Sequence, residues 1–344
     1  NDSTPDRRLR IGYVSPDLRS HSVAFFVEPL LKTHDRARFD VFCYANVRRP
    51  DAVTERLKEL ADHWRDIVRL DDDEVAHLIR EDGIDILVDL AGHTAGNRLL
   101  VFARKPAPIQ IAYLGYPNTR GFDAIDYWLT DALADPPEET ERYYVEQVIR
   151  LPNGFNCYQP PPHSPPVSPL PALKTGHITF GSFNNTPKIN ERVIACWAAI
   201  LNAVPRSRII LKARALADRQ TRERLEQCFI GHGIPAERIE MVSWTPSSAD
   251  HLQLYHRVDI ALDTFPYNGH TTTCEALWMG VPVVTLAGRM HAGRVGVSLL
   301  THAGLPELIA EDPEKYVKIT VALASDLGRL KDLRQGLRDK LKRS

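Results

Sequence analysis

Asp259-Ile-Ala-Leu-Asp-Thr-Phe-Pro-Tyr-Asn-Gly-His-Thr-Thr-Thr-Cys-Glu275, running on through Ala-Leu-Trp-Met-Gly-Val-Pro-Val-Val284, is the stretch on which the reading of this chain turns. Ile260 to Leu262 is an apolar run suited to a buried strand, and Asn268-Gly269 closes a turn. Three threonines then open a helix, and Val281 to Leu286 supplies a second strand. Strand, turn, helix and strand in that order bring unpaired N–H groups and the positive end of a helix dipole to the carboxyl edge of a parallel sheet. A diphosphate suits such a place. Glu275 lies about one helical turn further on, where its carboxylate reaches a ribose diol beside that diphosphate. Threonines also serve as plain helix caps, so the surrounding chain has to decide between the two.

Upstream of this stretch the same alternation recurs. His177 to Ser182, Arg208 to Lys212 and Ile239 to Val242 read as strands, with helices over Asn190 to Ala203, Thr221 to Gly231 and Ser248 to Arg257. The charged, leucine-bearing pattern from Pro313 to Ser344 is helical and carries no stop signal, which reads as truncation inside a helix. Before it all stands Gln159-Pro-Pro-Pro-His-Ser-Pro-Pro-Val-Ser-Pro-Leu-Pro171, too rich in proline for helix or sheet and expected as a stiff linker. The first half repeats the design. Its strands are expected at Leu9 to Ser15, Phe39 to Tyr44, Ile67 to Leu70, Ile84 to Leu90, Ile109 to Tyr113 and Tyr127 to Thr130. Helices are expected over Val23 to Thr33, Asp51 to His63 and Asp72 to Asp82. The fold class is therefore α/β, two doubly wound Rossmann-like domains facing a cleft. The expected boundaries are a linker at 1–8, a first domain at 9–158, the Pro-rich linker at 159–174, a second domain at 175–325 and a C-terminal helix at 326–344. The polar Asn1 to Arg8 reads as the start of a fragment or of a matured chain.

Composition excludes several classes. With 43 basic against 44 acidic residues the net charge is −1, so there is no general basic field for nucleic acid. No apolar run approaches a membrane span and no signal-peptide pattern is present. Five widely spaced cysteines without a CxxC pair point to reduced thiols, a cytoplasmic protein and no zinc site. The glycine fingerprint of dinucleotide-binding oxidoreductases, the P-loop and the Gly-x-Ser-x-Gly elbow are all missing. Asp71-Asp-Asp-Glu74 contains the Asp-x-Asp spacing that some sugar-nucleotide enzymes use for a metal, but it opens a helix and reads as a cap. His251 and His256 are five apart, which is not the spacing of a two-histidine metal face.

Ligands of doubly wound sheets sit beyond the strand carboxyl ends. The polar groups placed there are His21, His93-Thr94, Asn185, Lys188 and the run from Asn268 to Glu275. His21 can serve as a base near neutral pH or simply belong to a helix start. Lys188 can place a cation on a leaving phosphate or be a solvated surface lysine.

Val14-Ser-Pro-Asp-Leu-Arg-Ser-His21, Arg104-Lys-Pro-Ala-Pro-Ile-Gln110 with Leu114-Gly-Tyr-Pro117, Phe183-Asn-Asn-Thr-Pro-Lys188 and Asn268-Gly-His-Thr-Thr-Thr273 together resemble the catalytic region of the O-GlcNAc transferase family. The resemblance runs in order from about Leu9 to the last helix. It implies a GT-B glycosyltransferase that inverts the anomeric centre, needs no metal or other cofactor, and moves N-acetylglucosamine from UDP-GlcNAc to Ser or Thr hydroxyls of proteins. By matching position, His21 falls on the family's active-site histidine and Lys188 on the lysine that contacts the diphosphate. Asn185 stands where the family has a glutamine near the nucleotide. His251, His270, Thr271 and Thr272 match residues around the uridine and diphosphate, with His270 also beside the sugar. Glu275 replaces the family's ribose-binding aspartate. Leu114, Gly115 and Pro117 match the loop beside the sugar, and His93 is taken with that sugar and acceptor side. Three departures stand out: the animal enzymes' large insert between the domains is absent, Ser248 stands where a lysine is expected, and the tetratricopeptide repeats that select acceptors are not in this sequence. The rival readings are a protein N-glucosyltransferase using UDP-glucose, a UDP-GlcNAc 2-epimerase, and a UDP-sugar-binding scaffold without turnover.

Overall fold

Two all-parallel sheets carry the chain in the computed structural model, which describes Thr4 and residues 7–343. The chain divides into two compact units, one ending at Gln159 and the other starting at Pro160. Of the linker expected at 1–8, only Thr4, Arg7 and Arg8 fall among the described residues; Arg7 pairs with Asp85.

The first unit holds β1 (Leu9–Ser15), β2 (Phe39–Ala45), β3 (His63–Asp66), β4 (Ile86–Asp89), β5 (Ile109–Ala112), β6 (Tyr127–Thr130) and β7 (Gln147–Arg150). Their order across the sheet is β3-β2-β1-β4-β5-β6-β7. The second unit holds β8 (Thr179–Ser182), β9 (Arg208–Lys212), β10 (Ile239–Val242), β11 (Ile260–Leu262), β12 (Val283–Leu286) and β13 (Ile309–Ala310), in the order β10-β9-β8-β11-β12-β13. β8, β11 and β12 are buried along their whole length, because crossover helices cover both faces of a parallel sheet. In each unit the strand order reverses once, at β1/β4 and at β8/β11. The segments leaving those four strands are the ones that surround a ligand in this topology.

Several expectations shift. The helix expected over Asp51 to His63 spans only Ala52–Leu60, and the strand expected at Ile67 to Leu70 lies earlier, at His63–Asp66. Ile67 is buried at the turn that follows. β7 and β13 were not anticipated. The helical pattern from Pro313 resolves into two helices, Pro313–Ala324 and Leu327–Leu341. Asp71 accepts bonds from the N–H groups of Asp73 and Glu74, while Asp72 and Asp73 pair with Arg98 and Arg104, so the acidic run is a helix cap and ion-pair partner.

The Pro-rich segment is more than a spacer. Fully buried Arg334 donates to Ser168 O (3.1 Å) and Ser168 Oγ (2.6 Å), and Arg338 donates to Pro165 O (2.8 Å). Arg334 also reaches Val258 O (2.6 Å) and Tyr255 O (2.9 Å). The last helix thereby fastens residues 165–168 onto the second unit.

Candidate active site

In the second unit the turn after β11 is built around Asp263. Its buried carboxylate accepts from Thr264 N–H (2.8 Å), Gly269 N–H (2.6 Å) and Thr285 Oγ (2.7 Å). Burial raises its pKa to about 6, the hydrogen bonds and Lys188 opposing. Buried Asn268 donates from Nδ2 to Thr264 O (2.9 Å), which fixes the turn from within. Gly269 is required: a Cβ there would stand 2.6 Å from Thr272 Oγ and 3.0 Å from Asn184 Oδ1.

The helix Thr271–Trp278 follows, and the plain-cap reading of its threonines fails on geometry. His270 flanks its start without a side-chain cap bond, and the hydroxyl of Thr272 donates sideways to Asn184 Oδ1 (3.1 Å). The helix thus opens on backbone N–H groups of Thr271 and Thr272 that find no acceptor among the described residues. Beside them stands Lys188, at the end of the short turn Thr186–Lys188 that leaves β8. Its Nζ donates to Asn268 O (2.7 Å) and sits 3.7 Å from the centre of the Tyr267 ring. Burial lowers its pKa to about 8, with Asp263 opposing. His270 is held at about 3, first by burial and then by His291 and Lys188, so its imidazole is neutral at physiological pH.

His251 and Glu275 meet directly: Nε2 lies 2.9 Å from Oε2, and the imidazole stands against the rings of Phe183 and Tyr255. Asn185 is exposed, whereas its neighbour Asn184 is buried and holds Thr272. Lys212, at the end of β9, reaches His251 Nδ1 at 2.9 Å. Asn184, Lys212 and Asp263 were missed by sequence reasoning. Each lies at or just beyond a strand's carboxyl end, the criterion that singled out their neighbours.

In the first unit, His21 lies in the loop after β1, 39% exposed. Its Nδ1 accepts from Val23 N–H at 3.3 Å and stands 3.7 Å from Asp17 Oδ2. Partial burial lowers its pKa, with Asp17 opposing and Arg19 reinforcing. His93, after β4, bonds Arg120 O through Nε2 (3.0 Å) and meets Tyr116 edge-on. The Leu114–Pro117 loop follows β5. Leu114 has φ +63°, and a Cβ on Gly115 would fall 1.7 Å from Leu90 O. Arg120 anchors this loop. Fully buried, it donates to Asp89 Oδ2 (2.7 Å) and to the carbonyls of Tyr116 and Asn118 (both 3.0 Å).

Among the described residues no group of three or more His, Cys, Asp or Glu side chains is arranged to hold a metal ion. No helix among them is long and apolar enough to cross a membrane. A cavity of about 600 Å³ opens at the other end of the second sheet, against Leu170, Lys174, Thr179, Arg208 and Arg257. It contains none of the residues above and lies at the strands' amino ends, away from the start of the helix Thr271–Trp278.

Two doubly wound parallel sheets, with an uncapped helix start and a half-buried lysine at the second sheet's switch point, define the GT-B class of α/β proteins. The sequence matches the description "Glycosyl transferase family 41" over residues 1–158 and 170–344, and the chain belongs to that family. A Petunia hybrida protein described as "Probable UDP-N-acetylglucosamine--peptide N-acetylglucosaminyltransferase SPINDLY" is 46% identical over 348 residues, covering 100% of this chain. The Arabidopsis thaliana protein of the same description ending in SEC is 32% identical over 96% of the chain. The solved structure of a mutant Thermobaculum terrenum O-GlcNAc transferase superposes with a TM-score of 0.95 at 46% identity, covering all of this chain and 65% of that one. The chain spans 37% of the length of the petunia relative.

Proposed function

We propose that this chain is the catalytic region of an inverting, metal-independent glycosyltransferase that moves N-acetylglucosamine from UDP-GlcNAc to Ser or Thr hydroxyls of proteins. The observation that carries the reading is the ammonium of Lys188 held at the turn before an uncapped helix start. In this reading the Thr271 and Thr272 N–H groups and Lys188 take the diphosphate and stabilise the charge that grows on UDP as the glycosidic bond breaks. Neutral His270 donates or accepts a hydrogen bond between phosphate and sugar, and Glu275 with His251 takes the ribose. Asn185 borders the nucleotide. His93 and the Leu114, Gly115 and Pro117 loop serve the sugar and acceptor side.

His21 is assigned to orienting the reactants. Val23 N–H occupies Nδ1, which leaves the neutral ring's proton on Nε2, a donor and not a base. A pH–rate profile that keeps its shape in His21→Ala while turnover falls supports this, and loss of a limb from the profile refutes it.

The relatives' names support the donor and the protein acceptor, and the acceptor-selecting repeats are proposed to belong to the longer protein. The intact protein is incubated with UDP-GlcNAc or UDP-glucose and an acceptor peptide mixture; released UDP and peptide masses are then measured. An N-acetylhexosamine adduct on Ser or Thr is expected. A hexose on Asn means the N-glucosyltransferase, a freed epimerised sugar the epimerase, and UDP binding without release a scaffold. Lys188→Ala is expected to lower turnover by about 10²–10³.

A further inference from the structure

Three side chains of the second unit form a hydrogen-bonded row of which the proposed function uses only two. Lys212 Nζ lies 2.9 Å from His251 Nδ1, and His251 Nε2 lies 2.9 Å from Glu275 Oε2. The three come from different elements: the end of β9, the helix Ser248–Gln253 and the helix Thr271–Trp278. The imidazole is walled by Phe183, with ring centroids 5.8 Å apart, and by Tyr255 at 5.9 Å. Tyr255 is itself tied to the nucleotide helix through its hydroxyl, which donates to Thr272 O at 3.1 Å.

Counting protons leaves one arrangement. A lysine ammonium has donors and no acceptor, so Nδ1 of His251 is the acceptor. The proton of the neutral ring is then on Nε2, where it donates to a carboxylate that can only accept. We infer that Lys212 is a positioning residue of the nucleotide site: by filling Nδ1 it fixes the His251 tautomer that clamps Glu275 Oε2 and leaves Oε1 to receive the ribose hydroxyls. Among the described residues no donor reaches Oε1. This rests on the reading of Glu275 as the ribose ligand.

A purely structural role explains Lys212 poorly. Its hydrogen-bond partner is an imidazole and not a carboxylate, and burial holds its pKa below the ordinary lysine range, with Glu275 opposing. Methionine or leucine would fill the same space without desolvating a charge.

The test compares UDP with 2′-deoxy-UDP by calorimetry on the wild type, Lys212→Met and Lys212→Arg. Nitrogen-15 spectra of the histidine rings are recorded alongside. The wild type is expected to prefer UDP by roughly tenfold or more, the value of a hydrogen bond to a charged group. Lys212→Met should cut that preference to about threefold or less while its affinity for 2′-deoxy-UDP stays near wild type. Lys212→Arg, which keeps a cationic donor, should restore it. The His251 signal should show a proton on Nε2 in the wild type and move in Lys212→Met. A wild-type Nδ1–H signal overturns the inference without any variant, and so does an undiminished preference in Lys212→Met. No UDP binding by the wild type refutes the nucleotide site as a whole, and equal binding of the two nucleotides refutes the role of Glu275; the three failures are distinguishable.

Discussion

Raising the pH from 7 to 9 will weaken UDP binding by about tenfold, and Lys188→Met will abolish that dependence. Burial sets the Lys188 pKa at about 8. About nine-tenths of the molecules carry the ammonium at pH 7 and about one-tenth at pH 9. If the diphosphate is held by the ammonium form, affinity follows that fraction. The neighbouring groups leave the window clear, since His270 titrates near 3 and Asp263 near 6. The terminal phosphate of UDP has lost its proton by about pH 7.5. Lys212, also held low by burial, is the other group able to titrate there, and so the Lys188→Met comparison is decisive. Unfolding does not imitate the effect. The folded pKa of Lys188 lies below the unfolded value of 10.5, so this lysine costs stability below pH 8 and the cost is relieved as pH rises from 8 to 10.5. Calorimetric titrations at half-unit steps from pH 7 to 9.5 provide the measurement. A flat wild-type profile, or the same slope in Lys188→Met, refutes the assignment of Lys188 to the diphosphate.

Three further outcomes are expected. Arg334→Met should destabilise the second unit by about 3–5 kcal/mol, read from urea unfolding, because four acceptors at Ser168, Val258 and Tyr255 lose their donor. Arg120→Met should cost a similar ~3–5 kcal/mol by leaving Asp89 charged and buried, while Arg120→Met with Asp89→Leu recovers part of it in a double-mutant cycle. Gly115→Ala should lower sugar transfer by about 10²-fold through displacement of the Leu114–Pro117 loop, with UDP affinity, measured by calorimetry, unchanged.

Where the sequence was read well, burial was symmetrical. β11 and β12 are largely apolar and buried from end to end, and β1 is buried from Ile11 onward, because helices cover both sheet faces. The strands misplaced or missed, β3, β7 and β13, are all at sheet edges, where one neighbour suffices and the pattern weakens. His63-Trp-Arg-Asp66 has no apolar run at all, and Gln147-Val-Ile-Arg150 is only partly buried. Of the candidate site, Lys188, His270 and Glu275 were singled out because each follows a strand's carboxyl end, Lys188 after β8 and the other two after β11. Lys212 was not, since a lysine that closes a strand looks like any solvated one until His251 is brought to it from 39 residues away. Asn184 was passed over for Asn185, because nothing in Asn-Asn tells which side chain turns inward.

The bonds from Arg334 and Arg338 back to residues 165–168 also set a timetable for synthesis. They join positions 166 and 173 residues apart, so the ribosome must deliver nearly the whole second unit before its opening segment finds its partners. Until then Pro165 to Ser168 lack the guanidinium donors that fasten them, and the nascent second unit remains open to chaperones or to pairing with another chain. The first unit completes its sheet at Arg150 and closes with the bond from Gln159 N–H to Phe25 O (2.8 Å).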